Sequence, residues 1–169
     1  MRLLAGIALC LVTACAASGF RNPDAPLSSM AVFDPVRFAG DWVKVAGYPS
    51  ETNCLQESVH YSVVGPGALD TTTTCTDSGG RAASIGSARV IGPGRLRVSM
   101  KGAIAQDQWV LWVDESYRTA VIARPSGQGA WVLNRTPAIS PDRLAAAFDV
   151  LRFNGFDVTQ MQSLAQVPA

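Results

Sequence analysis

The chain has 169 residues, a formal charge of +1 and a single histidine. That length suits one domain with a real core. The near-neutral balance, with no stripe of Lys and Arg, argues against nucleic acid as a partner, because phosphate binding needs clustered cations.

The first element is an export signal. Met1-Arg2 supplies one positive charge, and Leu3 to Val12 is an unbroken apolar run. The run is too short to cross a bilayer and has the length of a signal-peptide core. It ends in Val12-Thr13-Ala14-Cys15, small residues before a cysteine that resemble the bacterial lipobox. Residues 1–14 are therefore expected to be removed as a lipoprotein signal peptide, with Cys15 acylated as the new N-terminus. An ordinary cleaved signal with Cys15 incidental is the alternative. Ala16 after the cysteine favours the outer membrane under the sorting rule known for such lipoproteins. Residues 15–31, rich in Ala, Ser, Pro, Asn and Asp, read as a flexible tether. Membrane affinity would come from the acyl chains, not from the domain. The folded domain is expected over 32–169.

From Val32 onward the chain is a series of short β-type segments. They run Asp41 to Ala46, Leu55 to Val63, Leu69 to Thr76, Arg81 to Ile91, Arg95 to Met100, Gln108 to Val113, Tyr117 to Arg124, and Ala130 to Arg135. Turn signals (Gly65-Pro66-Gly67, Ser78-Gly79-Gly80, Gly92-Pro93-Gly94, Ser126-Gly127-Gln128-Gly129) separate many of them. Close spacing with hairpin turns predicts an all-β protein, and about eight strands suit a closed, antiparallel, up-and-down β-barrel with a small interior. One helix follows. Ser140 can cap it, Pro141 suits its first turn, Leu144, Ala147, Phe148 and Leu151 recur at helical spacing, and Asn154-Gly155 stops it. Its narrow apolar stripe puts it outside the sheet, and 157–166 could add an extended tail along it.

Two distant residues define one end of the cup. Trp42 lies in the first strand and Arg135 at the end of the last, and the guanidinium can lie on the indole face there. After processing, Cys54 and Cys75 are the remaining cysteines outside the lipidated one. An even pair in an exported domain suggests a disulfide, brought together by the hairpin at Gly65-Pro66-Gly67. Strict alternation puts the two on opposite faces, so the bond needs a bulge or loop at one end.

Three blocks resemble the lipocalins, specifically the bacterial outer-membrane lipoprotein lipocalins. They are Phe38-Ala39-Gly40-Asp41-Trp42-Val43-Lys44-Val45-Ala46, Val113-Asp114-Glu115-Ser116-Tyr117-Arg118-Thr119-Ala120-Val121, and Trp131 through Pro137 with the family's arginine at Arg135. Gly155-Phe156-Asp157 and Gln166 also fit the bacterial branch. Val43-Lys44 stand where that branch commonly has Tyr-Glu, and its best-known member usually lacks the cysteine pair. The resemblance implies an eight-stranded barrel with one C-terminal helix packed outside.

Period-2 alternation, helped by the family pattern, gives the interior. Lys44 and Ala46 share Trp42's face, and Leu133 and Trp131 share that of Arg135. Val59, Tyr61, Thr71, Thr73, Val98, Met100, Val110, Trp112, Ala120 and Ile122 complete the expected lining. Core packing is the plain alternative for each of them alone. As a set they suit an amphipathic ligand, with an acyl chain in the cup and a polar head near the mouth. Lys44 would be costly to bury without an anion, which a bound carboxylate or phosphate would supply; the plain alternative is that it snorkels to the barrel end or pairs with Glu57.

Catalytic chemistry is not legible. His60 is the only imidazole and alternation puts it outside, so no Ser/His/Asp or Cys/His set can be built. Asp114 and Glu115 are adjacent at a turn and point apart. No metal-ligand spacing occurs, and no cofactor is implied. The reading is a binding protein, not an enzyme. It would be tethered to the outer membrane on the periplasmic side, and would store, carry or sequester a fatty acid or lysophospholipid such as palmitate, alone or as a homodimer. The alternatives are an envelope interaction protein with a filled barrel, or a barrel enzyme. Small Ala, Gly and Ser on Arg81 to Ile91 argue against a full plug.

Overall fold

The structure, a computed structural model, describes residues 19–49 and 54–164. The signal peptide and the acylation site at Cys15 lie outside the described residues. Eight antiparallel strands follow one another in order: β1 (Gly40–Gly47), β2 (Gln56–Gly65), β3 (Ala68–Asp77), β4 (Gly80–Gly92), β5 (Arg95–Met100), β6 (Gln106–Val113), β7 (Thr119–Ala123) and β8 (Ala130–Asn134). Each pairs with the next, and β1 pairs with both β8 and β2, which closes the wall. This is the expected eight-stranded up-and-down barrel. Tyr117, expected in a strand, sits in the β6–β7 turn instead.

The base of the barrel is the end holding Trp42 and Arg135. The β2–β3, β4–β5 and β6–β7 turns share it, while the β3–β4, β5–β6 and β7–β8 turns ring the opposite end, the mouth. A short helix α1 (Pro35–Phe38), not foreseen from the sequence, lies at the base. Asp34 caps it by accepting from the amides of Val36 and Arg37, and Pro sits in its first turn. Its Phe38 is fully buried and packs on Trp42 and Tyr61, each with ring centroids 5.1 Å apart.

Helix α2 (Pro141–Phe153) packs outside, as expected. Ala147 and Leu151 bury against Val45, Ala46, Leu111, Val121 and Val132 on the outer wall. Ser140 occupies the cap position but makes no side-chain cap bond; its hydroxyl instead meets Arg143 Nε at 3.1 Å. After the stop at Asn154 a 3-10 turn (Val158–Gln160) leads to a two-residue strand β9 (Gln162–Ser163). Val158 and Met161 pack with Ala147 and Leu151 of the helix in the outer cluster, and the tail then turns onto the sheet. It takes the edge of β1 at Ala46 and Gly47, just where β2, paired over Gly40 to Val43, has parted from it.

The tether expected over 15–31 is corrected from residue 19 onward. Phe20 donates its amide to the Gly127 carbonyl in the β7–β8 turn and stacks on Tyr48 with centroids 3.9 Å apart. Arg21 bridges to Phe156, Ser28 donates its amide to Asn154 Oδ1, and Met30 donates its amide to Val110. The segment is therefore a strap running down the outside from mouth to base. Its backbone groups find partners without forming a regular strand, so its loop-like composition carried no sign of packing.

Candidate functional site

Gly40 has φ +96°, and a Cβ there would lie 3.2 Å from Arg135 Nη1. The positive φ favours glycine before the indole of Trp42, and a side chain there would press on the guanidinium. The Arg135 guanidinium carbon lies 3.8 Å from the centre of the Trp42 ring. Its nitrogens donate to the carbonyls of Tyr117 (3.0 Å), Asp41 (2.9 Å) and Arg37 (2.9 Å), and Trp42 Nε1 donates to Phe38 at 2.7 Å. Burial lowers the guanidinium's pKa from its ordinary value, with the charge of Asp41 acting in the opposite sense. Tyr117 supports the plug from the β6–β7 turn. It holds φ +53°, its hydroxyl accepts from the Asp34 amide at 3.1 Å, and Arg37 lies 4.2 Å over its ring. Asp114 fastens that turn by accepting from the amides of Arg118 and Thr119. The base is sealed.

Above the plug the interior is packed. Val98, Val110, Ala120 and Ile122 are buried in the inner cluster with Leu69, Leu96 and Leu133, and Met100 lies against them, partly buried. Thr71 is buried as well. These predicted residues face inward, and none of them lines the cavity found toward the mouth. Toward the mouth a cavity of about 60 Å³ remains, lined by Lys44, Glu57, Ser58, Val59, Tyr61, Thr73, Gln108, Trp131 and Leu133. Of the expected ligand set, the cavity brings together Lys44, Val59, Tyr61, Thr73 and Trp131.

Trp112 is corrected. The β6–β7 register slips between Val110 and Trp112, so Trp112 pairs with Val121 and joins the outer cluster under α2. The extra residue, Leu111, reverses the alternation. Ala46 is corrected for the same reason. The β1–β8 register slips between Lys44 and Ala46, and Ala46 is buried outside.

Lys44 does point inward. Its ammonium lies 3.1 Å from Glu57 Oε2, in a largely buried pair. Gly47 permits this, because a Cβ there would lie 2.7 Å from Lys44 Cε. Tyr61's hydroxyl is pushed well above the usual phenol range by burial and then by the charge of Glu57, so it is a neutral donor at any ordinary pH. The pocket offers an ammonium, a carboxylate, hydroxyls, an amide and an indole. Sequence reasoning missed Gln108 and Ser58. Gln108 was legible, since alternation puts it on the face of Val110, and Glu57 shares the face of Val59 and Tyr61 in the same way. His60 lies outside as expected, its Nδ1 2.7 Å from exposed Asp41 Oδ1. Cys54 and Cys75 are bonded with Cα atoms 5.3 Å apart, Cys54 lying in the loop before β2.

A family model described as a lipocalin-like domain matches residues 33–166. The outer membrane lipoprotein Blc of Escherichia coli (strain K12) is 30% identical over 171 aligned positions, covering 95% of each chain. Temperature-induced lipocalin-1 of Arabidopsis thaliana is 23% identical over 144, covering 77% of each. Among solved structures, insecticyanin from the tobacco hornworm Manduca sexta superposes with TM-score 0.70 at 16% identity, over 89% of this chain and 90% of that one. Lobster apocrustacyanin A1 gives 0.67 at 15%, over 90% and 94%. At those identities the two solved structures speak to the fold.

Proposed function

Because this chain belongs to the lipocalin family, in its bacterial Blc branch, we propose that it binds a small amphipathic lipid of the fatty-acid or lysophospholipid class in the barrel cavity, the ligand's anionic group meeting Lys44. The observation that carries this is the inward ammonium of Lys44, held 3.1 Å from Glu57 inside a pocket bordered by Trp131. A buried lysine beside a removable partner is a ready receptor for a carboxylate or phosphate. The same reading makes the protein an exported lipoprotein, acylated at Cys15 and held on the periplasmic side of the outer membrane, which stores or carries its ligand and does not transform it. The name of the Escherichia coli relative supports that placement.

The cavity is small. Sites for ligands of this kind run to about 300–1,000 Å³, so an acyl chain requires the partly buried Met100, Val59 and Trp131 to swing aside. The packed lower interior favours a second reading, an envelope protein whose barrel is filled by its own side chains. Displacement of a fluorescent fatty-acid probe by palmitate separates the two. Saturable displacement is expected, whereas its absence favours the filled barrel. Lys44→Met should weaken palmitate roughly tenfold, the worth of one charge-assisted hydrogen bond, and Glu57→Gln should tighten it by freeing the ammonium. An unchanged affinity in Lys44→Met would remove Lys44 from the site.

A further inference from the structure

We infer that the mouth of this barrel, not its base, is the end held against the lipid surface, so that ligand passes between bilayer and cavity without crossing open water. The inference rests on acylation at Cys15, proposed above. The strap decides the geometry. Gly19 lies against Gly127, where a Cβ would be 3.1 Å from the Gly127 carbonyl oxygen, and Phe20 bonds the same carbonyl. Gly127 belongs to the β7–β8 turn at the mouth, beyond the last residue of β7. Cys15 precedes Gly19 by four positions (19 − 15), a link of at most about 14 Å when fully extended. The barrel is taller than that. The eight residues of β1 span about 26 Å along the strand, and roughly 20 Å along the axis at the usual tilt. Turns and α1 add to the base. The anchor therefore leaves the domain at the mouth and falls short of the base.

Exposed apolar side chains do not make the choice. Ile104 and Leu55 stand at the mouth, but Val32, Val36 and Val64 are exposed at the base. They do supply probes for each end. In the lipidated protein Cys15 is blocked and Cys54–Cys75 is oxidised, so one introduced thiol labels cleanly. Ile104→Cys, and Gln128→Cys as a second mouth site, would each carry a fluorophore, with Val64→Cys reporting on the base. The acylated full chain, with its modification verified by intact mass, is placed in phosphatidylcholine–phosphatidylglycerol vesicles containing a headgroup nitroxide lipid. Quenching several-fold stronger at both mouth positions than at the base is the expected result. Equal quenching, or stronger quenching at Val64→Cys, overturns the orientation while leaving the anchor standing. A mature chain without the acyl mass overturns both.

Discussion

At the scale of single residues, Arg135 divides stability from binding. It touches Trp42 and the backbone carbonyls of Tyr117, Asp41, Arg37 and Phe38 at the base and lies outside the cavity lining. Arg135→Ala removes a cation–π contact and leaves those carbonyls short of a donor, a loss of about 2–3 kcal/mol. A clear drop in melting temperature with little change in palmitate affinity is the expected pattern, and the reverse ordering would mean the pocket reaches the base. The plug was legible because both of its partners are rare, large or charged side chains at marked positions. Lys44's inward aim was legible too. Its partner remained an alternative because pairing depends on where β1 and β2 part, which alternation does not reveal.

Elements were read from turns and period, and they succeeded or failed for that reason. Gly-Pro-Gly turns and alternation located the eight strands to within a few residues. The bulge at Leu111 escaped because Trp109-Val110-Leu111-Trp112-Val113 is apolar throughout, and an unbroken run has no period to interrupt; the one at Val45 escaped because Val45 and Ala46 are both apolar and suit either face. Trp112 followed the wrong face as a consequence. Helix α1 escaped because four residues carry no periodicity. The disulfide ties the loop before β2 to β3 across 21 residues, and closing such a loop stabilises by about 3 kcal/mol. Reduction, or the paired change Cys54→Ser with Cys75→Ser, should lower the unfolding free energy obtained from urea titration by that amount, with a matching fall in the midpoint, while the far-ultraviolet β signature of the folded protein persists. Loss of the signature in the absence of denaturant would mean that the barrel needs the bond to form.

Across the whole molecule, chain ends and mouth are joined through Tyr48. Its ring stacks on Phe20 and its hydroxyl donates to the Asp157 carbonyl at 3.0 Å. Burial and then the charge of Asp157 push its pKa up to about 12. A phenol whose proton is held more tightly in the folded state than in the unfolded one stabilises below the ordinary phenol pKa of about 10. That contribution falls away as pH rises from there toward the folded value. Melting temperature should therefore decline between about pH 10 and pH 12. Tyr48→Phe should start lower at neutral pH, having lost the hydrogen bond, and decline less; Tyr61, also raised, leaves a residual slope. An identical slope in Tyr48→Phe would assign the alkaline loss elsewhere.

The placement of Gly19 beside the β7–β8 turn also governs how the protein can be handled. An affinity tag fused ahead of it would hang next to the opening and compete with any ligand for entry. β9 itself runs antiparallel to β1, away from the opening, and the Leu164 amide bonds the Val45 carbonyl. A purification handle belongs at that end.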